Sequence, residues 1–473
     1  MKNARGLTLK ILGLITAGVL IYAGTTQLNI HNADNKSDLH IEESEPKIFY
    51  AEVSRKPNKT QQESEQEKPE VEIVTEYEVS EPVIVEKVPK QEADEEKEDT
   101  VTTVQQDDVP IQENVNLNTN TNTNTNTNIE DGKYVVGYFA SWGKDADKLD
   151  GDKLTHINYA FADIGDDMRV KMAQPNADVK NFEDLRELKR KHPHLKTLIS
   201  IGGWGFSGNF SDAAATEKNR RIFAQSCVDF IVEHGFDGVD LDWEFPVSGG
   251  LSTNKNRAED RKNFTLLLEC IREKLDEQSK SDGKKYLLTI AGGVGYGYLA
   301  KIEPKRVAEI VDYIFVMGYD MHGTWDAYSD LNAPLYTPSD ESPQYKLSVE
   351  ESINAYIESG VDAEKLVLGM PFYGYGYMTG DGLYSKFSSA KSMSYRILKN
   401  GYIDNDSFEY NWHDDAEVPY LISDEMFISF DDEYSILEKS EYAADRGLAG
   451  VGMWELSQDY NGELLDAAYK GIQ

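Results

Sequence analysis

From Gly132 to the C-terminus the chain repeats one hydropathy pattern: a short run of β-branched and aromatic residues, then a longer stretch whose apolar positions recur every three or four residues. The first kind of run reads as a buried strand, the second as an amphipathic helix. The strand runs are Tyr134–Ala140, His156–Ala162, Lys196–Ile201, Gly238–Trp243, Tyr286–Gly292, Tyr313–Tyr319, Leu366–Met370 and Gly450–Trp454. Eight strands alternating with helices predict a parallel TIM (β/α)8 barrel, an α/β fold. The helices carry their own punctuation. Ser348 with Glu351 predicts a capping box, Val349, Ile353, Tyr356 and Ile357 share one apolar face, and Gly360 predicts the stop. The helix starting at Glu217 is predicted to end at Gly235, which hands the chain to the fourth strand.

Upstream of this pattern the chain is different in kind. Lys2, Arg5 and Lys10 precede an apolar run from Ile11 to Ala23, too short for a membrane span of about 20 residues and suited to the core of a signal peptide. Residues 1–27 therefore read as an export signal, either cleaved or kept as an anchor, with residues 7–26 as a membrane tether. Both readings place the rest outside the cytoplasm, secreted or held at the cell surface. Residues 28–131 are rich in Glu, Lys, Pro, Gln and Val, with the acidic cluster Glu92–Asp99 and an Asn-Thr repeat from Asn118 to Asn128. So little apolar surface cannot offset the entropy of ordering, and a disordered acidic linker is expected. Val71–Val79 alternates like a strand, but a charged linker is the preferred reading there too. A flexible chain of this length spans on the order of 55 Å.

Charge and cysteine count narrow the partners. The chain has 48 basic and 84 acidic side chains, a formal charge of −36. That argues against nucleic acid or an anionic membrane as partner, since both are bound through basic patches, and it suits a neutral polymer. Cys227 and Cys270 fall in the helices flanking the fourth strand; two cysteines give no framework, and they either pair or stay as buried thiols. No cofactor is called for, and a monomer is expected.

The fourth strand holds the candidate chemistry. In Phe236-Asp-Gly-Val-Asp-Leu-Asp-Trp-Glu-Phe-Pro246 side chains alternate between faces, so Asp240, Asp242 and Glu244 share one face while Val239, Leu241 and Trp243 share the other. Neighbouring carboxylates on such a face are about 7 Å apart. Acids this close relieve their repulsion by holding a proton, and a carboxyl still protonated near neutral pH is a general acid. An acidic edge facing water is the bland alternative, opposed by the apolar reverse face. Metal binding is a second alternative, but no EF-hand-like spacing supplies further oxygen ligands. Trp142, Trp204, Trp243, Trp325 and Trp454 all fall at or just beyond predicted strand ends, the rim where a TIM barrel carries its active site. Aromatic faces there suit a sugar-binding groove.

Asp237, Asp240, Asp242 and Glu244 match the Asp-x-x-Asp-x-Asp-x-Glu signature, and on these residues the chain resembles glycoside hydrolase family 18, the chitinases and their relatives. The resemblance extends over residues 132–473. Val136-Gly-Tyr-Phe139, Ile157–Ala162, Ser200-Ile-Gly-Gly203, Met317-Gly-Tyr-Asp320, Leu368–Gly374 and Met453-Trp-Glu-Leu456 look like the family's first, second, third, sixth, seventh and eighth strand motifs. It implies that Glu244 is the acid and then the base that activates water, that Asp242 binds the substrate acetamide and shares a proton with Asp240, and that Tyr319 holds the acetamide from the other side. Trp454 would form the floor under the sugar, with Tyr138, Phe161, Trp204, Met317, Asp320 and Trp325 lining the subsites. Asp237, Ser200, Gly202 and Gly203 would be structural. His322 is read as local packing, because the acid position is filled.

The expected activity is hydrolysis of β-1,4-linked N-acetylglucosamine polymers, most simply chitin, by a substrate-assisted retaining mechanism. Alternatives are an endo-β-N-acetylglucosaminidase acting on N-glycans or cell-wall glycan, a non-catalytic chitin-binding lectin, and a surface scaffold working through its acidic N-terminal part. Two departures from the family stand out. The segment between the seventh and eighth strands, about residues 375–424, looks short for the α+β insertion of deep-cleft chitinases, so a reduced insertion around Tyr384, Tyr410 and Trp412 and a shallower cleft are expected. Where many relatives have arginine after Phe-Tyr-Gly, this chain has Tyr375.

Overall fold

The structure is a computed structural model that describes residues 132–143 and 146–473. The export signal, tether and linker expected within residues 1–131 lie outside the described residues. Among the described residues no helix is long and apolar enough to cross a membrane. The strands in chain order are β1 (Tyr134–Ala140), β2 (His156–Ile164), β3 (Val170–Met172), β4 (Lys196–Gly202), β5 (Gly238–Asp242), β6 (Leu287–Gly292), β7 (Tyr313–Met317), β8 (Leu366–Pro371), β9 (Tyr373–Met378), β10 (Ala390–Ser394), β11 (Glu409–His413), β12 (Val418–Ile422), β13 (Met426–Ser429) and β14 (Gly450–Trp454).

Eight of them run parallel in the order β1-β14-β8-β7-β6-β5-β4-β2, and β1 pairs with β2 to close the barrel, while β3 adds an antiparallel edge to β2. Alternation along each strand sorts side chains into two cores. Val135, Phe139, Val239, Leu241 and Trp243 face outward into the layer under the helices, where Trp243 stacks on Phe210 at 5.2 Å. Val136, Tyr138, Tyr313, Phe315 and Val367 face the barrel axis. Phe315 fits there because β8 and β14 carry glycine beside it: a Cβ on Gly369 or Gly452 would lie 2.4 Å from its ring.

Two strands end sooner than their apolar runs suggest. β5 stops at Asp242, and β7 stops at Met317, where the backbone N–H groups of Gly318 and Tyr319 fold back to Val316 and Met317 at 2.8 Å. Glu244 and Tyr319 therefore stand in the loops above the barrel mouth. Helix punctuation follows the sequence closely. The helix Glu217–His234 ends on Gly235 at φ 79°, and Gly360, at φ 88°, follows the helix Val349–Glu358. Ser348 caps that helix by accepting the Glu351 N–H, without the reciprocal half of the box; a complete box forms instead at Asp432 and Ser435.

The insertion after β8 has an internal order that its length did not reveal. Residues 373–429 build a five-stranded antiparallel sheet, β10-β9-β13-β12-β11, with the helix Tyr395–Gly401. Strands of four to six residues need little chain, so the sheet fits in a segment that looked short, with short turns joining β11 to β12 and β12 to β13. β9 begins two residues after β8 ends and alternates Tyr373, Gly374, Tyr375, Gly376 and Tyr377. The glycines let neighbouring strands close in: a Cβ on Gly374 would lie 2.3 Å from the Ser429 carbonyl. The tyrosines share the opposite face.

Candidate active site

The site is built outward from Asp240, which is fully enclosed. Strand register sets Ser200 of β4 and Thr289 of β6 directly beside it. Its Oδ2 accepts the Tyr138 hydroxyl at 2.7 Å and the Ser200 hydroxyl at 2.8 Å, and its Oδ1 accepts the Thr289 hydroxyl at 2.6 Å. Burial pushes the Asp240 carboxyl up and these three donors pull it back. No hydrogen bond joins it to Asp242, so the shared proton expected between the two is not seen as a contact.

Asp242, two residues on, is buried on the same face. Burial first, then the charges of Glu244 and Asp240, push its carboxyl well above the ordinary carboxylate range. Its Oδ1 is enclosed and has no hydrogen-bond partner. A buried polar atom left unsatisfied is expensive unless a ligand completes it.

Glu244 follows in the loop, partly open to the cleft. Its backbone is gripped from both sides: the N–H donates to the Ser207 hydroxyl at 2.9 Å, and the carbonyl accepts from the Asn254 side-chain amide at 3.0 Å. Gly250, at φ 72°, packs so closely that a Cβ would lie 2.0 Å from the Glu244 carbonyl oxygen. Surrounding protein, and then the charge on Asp320, push the Glu244 carboxyl from 4.5 to about 8. Asp320 itself, at φ 58°, is solvent-accessible on the cleft wall although ringed by protein. The hydroxyls of Tyr373 and Tyr375 both donate to its Oδ1, the latter at 2.7 Å.

Around these acids the cleft is aromatic. Trp454, at the end of β14, stacks on Phe161 of β2 at 5.5 Å and meets Trp142 edge-on at 6.4 Å. Trp142, Trp204 and Trp325 are 61%, 53% and 58% exposed, unusual for tryptophan unless a partner is expected. Trp325 leans edge-on against Tyr375 at 5.7 Å. Tyr319 is buried except for a sliver and feels the charge of Asp242. Met317 is half-buried beneath it in the axial core.

The structure gathers the acids and aromatic residues singled out by sequence around one mouth, and gives Tyr138 a different place from the one expected. Tyr138 is closed to solvent and gives its hydroxyl to Asp240, so it supports the acid rather than lining a subsite. Asp237 accepts the Thr197 N–H at 2.8 Å and pairs with Lys189 at the strand's entry. Gly202 is at φ 108°, where a Cβ would lie 2.3 Å from the Asp242 carbonyl, and a Cβ on Gly203 would strike the Phe161 ring. His322 holds its loop through Asp326 and the Tyr345 carbonyl, both at 3.0 Å. Cys227 and Cys270 stand as free thiols. Ser207, Asn254, Thr289 and Tyr373 escaped the sequence reading; register beside Asp240 was the only available signal, and only for Thr289.

Known proteins match this arrangement. The chain is 39% identical to Chitinase A1 of Niallia circulans over 70% of its own length and 57% of that protein's. It is 32% identical to Chitotriosidase-1 of Mus musculus, over 66% of this chain and 68% of that one. Among solved structures, a glycoside hydrolase family 18 N-acetylglucosaminidase from Paenibacillus barengoltzii superposes with a TM-score of 0.67 at 37% identity, covering 72% of this chain and 100% of that one. The family model described as "Glycosyl hydrolases family 18" matches residues 134–459. A closed barrel with its acids at the mouth of β5, a matching family model and these relatives together make the chain a member of glycoside hydrolase family 18.

Proposed function

We propose that this enzyme hydrolyses β-1,4 bonds in N-acetylglucosamine polymers, chitin above all, with the substrate's own acetamide as nucleophile. The observation that carries it is the pairing of Glu244, whose carboxyl its surroundings push up to about 8, with a buried Asp242 oxygen that lacks a hydrogen-bond partner, at one aromatic cleft. Glu244 donates its proton to the glycosidic oxygen as that bond breaks. The acetamide oxygen of the sugar on the other side bonds to its own anomeric carbon, giving an oxazolinium ion and the leaving sugar alcohol. The acetamide N–H meets Asp242 Oδ1, which gains the donor it lacks and faces the developing positive charge. Glu244, now a carboxylate, takes a proton from water; the hydroxyl opens the oxazolinium with net retention and the acid is restored. No enzyme nucleophile is required, which suits a site whose other buried acid, Asp240, is occupied by three hydroxyls.

The similarity to an N-acetylglucosaminidase supports a second reading, in which single sugars are released from chain ends. N-glycan or cell-wall glycan is a further substrate class. Products from chitin oligomers, N-glycans and peptidoglycan separate the three. Glu244→Gln is expected to lower turnover by several orders of magnitude while oligosaccharide binding persists; full activity in that variant would sink the assignment. From the composition of residues 1–27 we infer action outside the cytoplasm, free or tethered.

A further inference from the structure

His322 does more than fill space in its loop. The side chain is closed to solvent, and both of its ring nitrogens meet acceptors. Nδ1 stands 3.0 Å from Asp326 Oδ2, while Nε2 stands 3.0 Å from the Tyr345 carbonyl and 3.6 Å from Asp330 Oδ2. A carbonyl oxygen only accepts, and Asp326 Oδ2 already accepts the Gly323 N–H at 3.0 Å. A neutral imidazole has one N–H and one lone pair, so it would satisfy one of these contacts and turn a lone pair on an oxygen at the other. The imidazolium satisfies both. Its charge has partners, since Asp326 and Asp330 flank the ring and Tyr345 covers it at 4.9 Å between ring centres. Burial pushes the Asp330 carboxyl up, and the charge on His322 is the strongest influence pulling it back. A buried charge that is both paired and hydrogen-bonded is one that a protein interior tolerates.

The ring closes a turn that carries an exposed tryptophan. Asp326 bridges the imidazole and the Gly323 N–H, and the Asp326 N–H returns to the Gly323 carbonyl at 3.1 Å. Trp325 lies over this turn so tightly that a Cβ on Gly323 would be 2.4 Å from its ring. From the other side Tyr345 ties the turn down, its carbonyl to His322 and its hydroxyl to the Met321 carbonyl at 2.9 Å. Trp325 then leans on Tyr375 at 5.7 Å, and the Tyr375 hydroxyl holds Asp320 at 2.7 Å. We infer that His322 is a positioning residue of the cleft, held as an imidazolium, whose two donated hydrogen bonds fix Trp325 in its pose against Tyr375. The inference rests on the hydrolysis proposed above only in taking a sugar chain as the partner of Trp325; the protonation of the ring stands apart from it. Losing one charge-assisted hydrogen bond from the turn should weaken oligosaccharide binding about ten-fold.

Two measurements on the full chain test it. The first is nitrogen NMR of the histidine rings at pH 7, with the His322 signals identified as those displaced by Asp326→Asn. Both nitrogens of that ring should carry protons; one protonated and one bare nitrogen would overturn the inference while leaving the proposed hydrolysis standing. The second is the affinity of the Glu244→Gln chain for a chitin hexamer. Adding His322→Gln should weaken it about ten-fold, Trp325→Ala should weaken it too, and the two together should bind no worse than Trp325→Ala alone, because one residue acts through the other. Losses that add, or an unchanged affinity in His322→Gln, would overturn the positioning role. Asp326→Asn, which leaves the ring in place and neutralises a group that faces it, is a second variant for the same cycle, and its loss should likewise vanish on top of Trp325→Ala. A Glu244→Gln chain that binds no hexamer would overturn the proposed hydrolysis and the positioning role together, with the ring's charge still decided by NMR.

Discussion

Replacing Glu244 by glutamine should stabilise the protein, and more so as pH rises. The reasoning starts from the carboxyl, which is pushed from 4.5 to about 8 by its surroundings and by Asp320. Between those two values the folded chain holds a proton on Glu244 that the unfolded chain has released. Stability therefore falls as pH rises through that window, because the folded state binds more protons there. Raising the carboxyl from 4.5 to about 8 sets a ceiling of about 5 kcal/mol. The side chain is partly open to the cleft and its charge is shared with Asp242, so water and proton redistribution reduce this to about 1–2 kcal/mol. Glutamine has the shape of the protonated acid and nothing to lose. Melting curves of the wild type and Glu244→Gln at pH 5, 7 and 9, at fixed ionic strength, should coincide at pH 5 and separate by a few degrees at pH 9. An offset that is the same at every pH, or one that grows toward acid, would refute the idea that Glu244 is held neutral by its surroundings.

The same proton sets the rate profile: kcat/KM should hold through neutral pH and fall ten-fold per unit above about pH 8 as Glu244 ionises. In Asp320→Asn that limb should move toward acid yet stay above the ordinary carboxylate range, since burial is the larger cause; an unmoved limb would show that Asp320 does not act on the acid. Gly250→Ala should cost about 1–3 kcal/mol, read from urea unfolding, and lower kcat more than it raises KM. A positive φ and a Cβ 2.0 Å from the Glu244 carbonyl leave no room unless the acid shifts, and wild-type kcat in a stably folded variant would show that it does not need to.

How much of this was legible follows from range. Alternation within β5 placed Asp240 and Asp242 on one face, because a strand's geometry fixes neighbours two residues apart, and the same alternation, carried one step past the strand's end, gave Trp243 the outward side and Glu244 the side of the acids. The barrel followed from eight runs and their helices. Partners supplied by other elements were not legible: Ser207 and Asn254 reach Glu244 from 37 and 10 residues away, along loops without periodicity. Tyr138 was recognised as important but assigned to the wrong surface, since a sequence does not say whether an axial side chain ends below the cleft or in it. The internal order of the insertion was not legible, because its antiparallel strands are only four to six residues each.

The direct passage from β8 into β9 has a consequence for engineering. Tyr373 and Tyr375 belong to the inserted sheet by backbone but to the catalytic cleft by their hydroxyls. The insertion is therefore not a detachable wall. Grafting in a relative's insertion would exchange the hydroxyls that hold Asp320 along with the sheet that carries them, so the two would be inherited together in such a chimera.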